Sequence, residues 1–276
     1  MRNFLYPNLG LCLVRINRDF ASTYFITDKV TDQTLLSPKD NDYVFPLYLY
    51  PEEGSLDSER RPNLDEKIWA TINKAVGHET DPEDIFDYIY GVLHSPHYRE
   101  KYKEFLKVDF PRIPFPKNAD EFEHFRSCGN QLRELHLMKK IPVSSVRFDV
   151  EETGTVEKIR WDNGNVYIND TQFFANVPLE AWEFYIGGYQ PAQKWLKDRK
   201  DRALSYKDVE HYGNIIAVLL ETKRIMDTMD DPSAQLEEYK NKVAELEQQL
   251  QAQQSGRIIN YGTININDNH RNIKIN

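Results

Sequence analysis

Apolar and polar residues alternate across residues 9–16 and 23–36, with β-branched side chains among them, a pattern that predicts two strands. Residues 43–50 add an aromatic-rich strand closed by Pro51, and residues 54–64 read as an exposed loop. The spacing then changes to that of helices. Asn63 or Asp65 can cap a helix running to Ala75, and Asp81-Pro82 opens a stronger one. In the latter, Ile85, Tyr88, Ile89, Val92 and Leu93 recur three and four residues apart as a buried stripe. Ser95-Pro96 interrupts it, and another helix continues through Phe105 and Leu106. Pro111, Pro114 and Pro116 impose a stiff extended connector.

A helix is predicted from Asp120 to about Met138, with Phe122, Phe125, Leu132, Leu135 and Leu137 available for packing. Residues 146–150, 155–161, 165–168 and 173–177 read as short strands. Asp162-Asn163-Gly164 supplies a hairpin turn between two of them. Residues 206–229 form the last long helix, with Val209, Tyr212, Ile216, Leu219 and Leu220 near one face. Strands first, helices next and strands again imply an α+β fold of small mixed sheets with packed helices, rather than a doubly wound sheet. Beyond it, Leu236, Tyr239, Val243, Leu246 and Leu250 follow a coiled-coil seam over residues 231–254. That seam implies a homo-oligomer through residues 236–250, the alternative being a solvated helix. The Asn- and Ile-rich tail, residues 255–276, reads either as two short strands and a turn or as disorder.

At 276 residues the chain is long enough for a sizeable core. No apolar stretch has the length of a membrane span, and the first residues lack a signal-peptide pattern. Cys12 and Cys128 are isolated thiols and suggest neither a disulfide framework nor zinc, so a cytoplasmic location is expected. The net charge of −9 is unevenly spread. Residues 51–87 hold eleven acidic and four basic side chains, whereas residues 186–207 hold six basic and two acidic ones. Residues 94–117 are also basic, six against three. Local potential governs an interface more than the total does, because screening acts within about 8 Å in cell-like salt.

The most informative basic stretch is residues 186–202, IGGYQPAQKWLKDRKDR. A Gly-Gly pair permits a close turn and Pro191 can open a helix. That helix carries Lys194, Lys197, Arg199, Lys200 and Arg202, with Tyr189 and Trp195 among them. The combination suits a phosphate backbone; equally, the aromatics can be core anchors and the charges a solvated face.

This run resembles the IGGYQPAQKWLKDRKGR signature of type ISP restriction-modification enzymes and related adenine-specific DNA methyltransferases. Asp201 stands where that pattern usually carries Gly. Residues 25–39, from FITD through LLSPK, resemble a stretch early in the same C-terminal specificity, or target-recognition, domain. Residues 43–50 (YVFPLYLY), 84–96 (DIFDYIYGVLHSP) with Tyr98 and Arg99, 110–114 (FPRIP) and 182–184 (WEF) resemble further blocks in the family order. The resemblance covers residues 1 to about 230. It implies a module that binds duplex DNA, with Lys194, Lys197, Arg199, Lys200 and Arg202 as phosphate contacts and Arg99 and Arg112 as weaker candidates.

Catalytic motifs are not found. The chain has no glycine-rich cofactor loop, no phosphate-binding GxxxxGK[ST] and no Asn/Asp-Pro-Pro-aromatic motif for a flipped base. His94 and His97 flank Pro96, which breaks the helical spacing of a zinc pair, so they read as capping or packing residues. The expectation is therefore a noncatalytic recognition module without cofactor or metal. Starting at Met1, it can be a free-standing specificity protein serving a separate methyltransferase or nuclease-translocase subunit. An oligomeric protein-interaction adaptor, or the remnant of a split restriction-modification gene, are the alternatives.

Overall fold

The computed structural model describes residues 2–16, 24–31, 42–52, 54, 59–148, 154–186 and 188–230, together with 243, 244, 247, 248, 250 and 251. The chain divides into two compact units, Met1–Asp230 and Asp231–Asn276. In the second, the described residues are helical and exposed; most of the coiled-coil seam and the whole 255–276 tail lie outside the described residues.

The first unit is α+β. Strand β1 (Gly10–Val14) is the centre of a three-stranded antiparallel sheet, flanked by β2 (Tyr24–Thr27) and β3 (Asp42–Pro46). Strand β2 is shorter than its alternation suggests. The Thr27 hydroxyl accepts from the Lys29 amide and donates to its carbonyl, turning the chain locally instead of extending the ladder. The aromatic run at 43–50 is also divided. After β3, the Leu47 amide donates to the Leu9 carbonyl and the Tyr48 amide to buried Asn8, and β4 (Tyr48–Leu49) leaves for another partner. That partner is β5 (Arg61–Pro62), so part of the expected 54–64 loop is a short strand, with its proline in a two-stranded ribbon where a missing donor is tolerated.

Helix α1 (Glu66–Val76) is capped by Asp65, which accepts from the Lys67 and Ile68 amides, and ends at Gly77 with φ 84°. Helix α2 (Pro82–His94) starts at Asp81 with a capping box closed by Asp84. Helices α3 (Pro96–Lys101) and α4 (Lys103–Leu106) follow. The proline connector is pinned at two carbonyls, Arg112 by the Tyr98 hydroxyl and Pro114 by the Tyr88 hydroxyl. Helix α5 (Ala119–His136) ends where Met138 turns to a positive φ of 55°.

Helices α2 and α5 approach closely because both carry glycine at the contact. A Cβ built on Gly129 would lie 1.8 Å from the Asp87 carbonyl oxygen, and one on Gly91 would lie 2.1 Å from that of Phe125. Beside this contact, Asp87 accepts from Arg133 Nε at 2.7 Å and from Asn130 at 2.8 Å.

The last third holds β6 (Arg160–Asp162), β7 (Asn165–Tyr167) and β8 (Phe173–Phe174) in a second three-stranded sheet. Asn163 and Gly164 both adopt positive φ, 48° and 82°, as a type I′ hairpin turn requires. The 146–150 and 155–161 strands are mostly not realised among the described residues. Arg147 makes only an isolated bridge to Ala175, and Thr155 one to Ala203. Alternation marks the buried face, but a strand also needs a neighbour of matching length. Helices α6 (Leu179–Trp182), α7 (Pro191–Lys197) and α8 (Tyr206–Met229) complete the unit. Tyr212, Ile216 and Leu219 of α8 pack with Val166, Ile168, Phe174, Ala192 and Leu196. No helix among the described residues is long and apolar enough to cross a membrane.

Candidate nucleic-acid interface

The basic run is built around α7. Ile186 and Tyr189 exchange backbone hydrogen bonds, at 2.9 and 3.3 Å, and the chain enters α7 at Pro191. Ala192 and Leu196 are completely buried on its inner face. Trp195 packs toward α8, its ring 5.4 Å from that of Tyr212, while the Arg199 guanidinium lies 3.5 Å above it. Tyr189 is half-buried, and burial raises its hydroxyl pKa. Trp195 thus anchors the segment on the core.

The lysines project the other way. Lys194, Lys197 and Lys200 are exposed. Lys194 pairs with Asp198 at 2.7 Å, and Lys197 donates to Gln193 at 3.2 Å. Exposed pairs of this kind contribute about 0–1 kcal/mol and exchange readily for a phosphate. The arginines differ in role. Arg202 donates to both Asp208 oxygens, at 2.8 and 2.9 Å, and Arg199 approaches the same carboxylate at 3.5 Å. Asp208 also receives the Ser205 hydroxyl and amide in the capping box of α8. Those Ser205 hydrogen bonds and the Arg202 charge hold its carboxyl at about 2, against the opposing effect of burial. One carboxylate therefore ties the end of the basic run to the start of the longest helix.

Asp201 has a φ of 62°. Its position is the one where the type ISP pattern usually carries Gly, and the left-handed backbone explains that preference. Asp201→Gly should raise stability by about 0.5 kcal/mol, since aspartate is among the residues least penalised there. Thermal melting would detect it, and a lower midpoint in the variant would refute the strain.

The two outlying cations lie elsewhere. Arg112 is exposed, with its guanidinium 5.0 Å from the Phe105 ring. Arg99 donates its Nε to the Leu93 carbonyl at 2.7 Å and lines a cavity beside His94 and His136. His94 is buried, with Nδ1 on the Tyr90 carbonyl, and packs in a T-shaped contact with the Tyr90 ring. His97 is exposed, and its amide donates to Asp230. Among the described residues no cluster of His, Cys, Asp and Glu is arranged to hold a metal. Sequence reasoning missed Arg160, exposed at the β6–β7 hairpin with its guanidinium 3.6 Å above the Tyr167 ring. The Asn-Gly turn was its only signal.

This fold is shared with DNA-bound proteins of known structure. The DrdV–DNA complex solved by cryoEM has a TM-score of 0.65 at 22% identity, over 82% of this chain and 25% of that one. The ATP-dependent type ISP restriction-modification enzyme LlaBIII bound to DNA also gives 0.65, at 20% identity over 82% of this chain and 16% of its own. A nuclease-deletion mutant of the type ISP enzyme LlaGI with a DNA substrate mimic gives 0.61 at 18% identity, over 82% and 21%. The chain thus spans a quarter or less of each of these proteins. No curated protein matches the sequence. At family level the assignment is direct: residues 1–228 match the type ISP C-terminal specificity domain, and the chain belongs to that family.

Proposed function

We propose that this specificity domain binds duplex DNA sequence-selectively, as the target-recognition part of a restriction-modification system. Lys194, Lys197 and Lys200 contact phosphates, assisted by Arg199, Arg202 and, more peripherally, Arg112. Arg99 is left out of this set because it lines a cavity. Methyltransferase and nuclease-translocase modules supply the chemistry, in the same or another polypeptide.

The observation that carries this reading is the two-faced build of α7 and the turn after it. Ala192, Trp195 and Leu196 fix the segment to the core, so the lysines stand on a rigid base rather than a loose loop. Phosphate contacts of this kind set register, while base edges are read by other side chains. The hairpin carrying Arg160 is a candidate for the second role.

Selection from a randomised duplex pool at near-physiological salt tests the proposal. An enriched short motif is the expected result. Binding that enriches nothing and vanishes with salt would reduce it to nonspecific phosphate attraction.

A further inference from the structure

A cavity of about 360 Å³ lies within the first unit, bordered by α2, α5 and α8 and by the turn that leads into α7. Its volume is in the range of small-molecule sites. Phe184, Ile186, Leu219 and Met226 contribute apolar lining, and His94, Arg99, His136 and Thr222 contribute polar lining. No Asp or Glu lines it.

The polar lining is unbalanced. Among the described residues the Arg99 guanidinium makes one hydrogen bond, from Nε to the Leu93 carbonyl, and its Cζ lies 5.5 Å from the Tyr24 ring. Among the described residues no carboxylate pairs with it. His94, only 4% exposed, places Nδ1 2.8 Å from the Tyr90 carbonyl. Nδ1 therefore carries the proton, leaving Nε2 as an acceptor with no hydrogen-bond partner among the described residues. His136 is satisfied on both sides, 2.6 Å from the Tyr90 hydroxyl and 3.0 Å from that of Thr222. Burial first, and then the Arg99 charge, pushes both imidazoles well below their usual pKa, His136 to about 4. The cavity thus combines one unpaired cation, one free acceptor and an apolar lining. Arg99 is half-buried, and a cation withdrawn from water in this way without a counter-ion favours a complementary anion.

We propose that this cavity binds a small organic anion, a carboxylate or phosphate monoester with an apolar body and a hydroxyl. The acid group sits on the Arg99 guanidinium, the body lies along Phe184, Ile186 and Leu219, and the hydroxyl donates to His94 Nε2. The site goes beyond the DNA-binding reading and does not depend on it.

Calorimetric titration of the full chain with 4-hydroxybenzoate and 4-hydroxyphenyl phosphate tests this, with the neutral 4-hydroxybenzamide as control. At least one acid should bind about tenfold tighter than the amide, the scale of a charge-assisted hydrogen bond. Whichever acid binds tighter identifies the acid group. Arg99→Met should remove the preference for acid over amide. Should that variant fail to fold, Met226→Trp fills the cavity from α8 and should block binding with Arg99 intact. Equal affinity for amide and acid, no binding of either acid, or an unchanged preference in folded Arg99→Met would overturn the assignment. Displacement of the bound acid by a short duplex would also overturn it, by placing the cavity in the DNA footprint.

Discussion

Asp87→Ala should destabilise the domain by about 3 kcal/mol, the lower end of the cost of breaking a buried ion pair. The carboxylate is 3% exposed and serves Arg133 through two donors and Asn130 through a third. Removing it strands those donors on α5 at the point where two glycines bring the helix backbones together. The estimate stays low because Arg133 keeps its second partner, Glu134, at 2.7 Å. Adding Arg133→Met should recover part of the loss, since an apolar side chain of similar length needs no counter-ion. Urea unfolding of the single and double variants measures both effects. A single variant as stable as the parent would mean that the pair does not hold α2 to α5.

The second large effect concerns DNA. Lys197→Glu with Lys200→Glu should weaken duplex binding by roughly tenfold or more near physiological salt, and lower the salt slope by about two. Both side chains are exposed, and among the described residues Lys197 makes only a hydrogen bond to Gln193, so the fold should tolerate the change. Arg202→Glu is unsuitable as a probe. It would set a second carboxylate against Asp208 and unsettle the α8 cap, confusing binding with folding. Fluorescence anisotropy across a salt series, with a melting curve for each variant, separates the two. A folded double variant with unaltered affinity and slope would move the phosphate contacts away from α7.

Signals carried within a few residues were legible in the sequence. The limits of α8 follow from the apolar spacing over residues 206–229, the start of α2 from Asp81-Pro82, and the β6–β7 turn from Asn163-Gly164. Caps, periodicity and turn chemistry act locally, so no distant partner is needed to read them. The basic run and its family resemblance were legible for the same reason, and the specificity-domain match over residues 1–228 agrees with them.

Tertiary structure decided everything that depends on a remote partner. Arg61 and Pro62 form a strand because Tyr48 and Leu49 lie alongside them, and the 43–50 run divides because Asn8 and Leu9 intercept its middle. Trp195 turns inward because Tyr212 is there to receive it. Arg99 reads as one more basic residue in the sequence, yet folding places it in a cavity with buried His94 of α2 and half-buried His136 of α5. The sequence by itself determined the family, the helices with local caps and spacing, the Asn163-Gly164 turn and which residues carry positive charge. Which of those charges meet solvent and which enter a cavity was settled only by packing, because burial is a property of neighbours far apart along the chain.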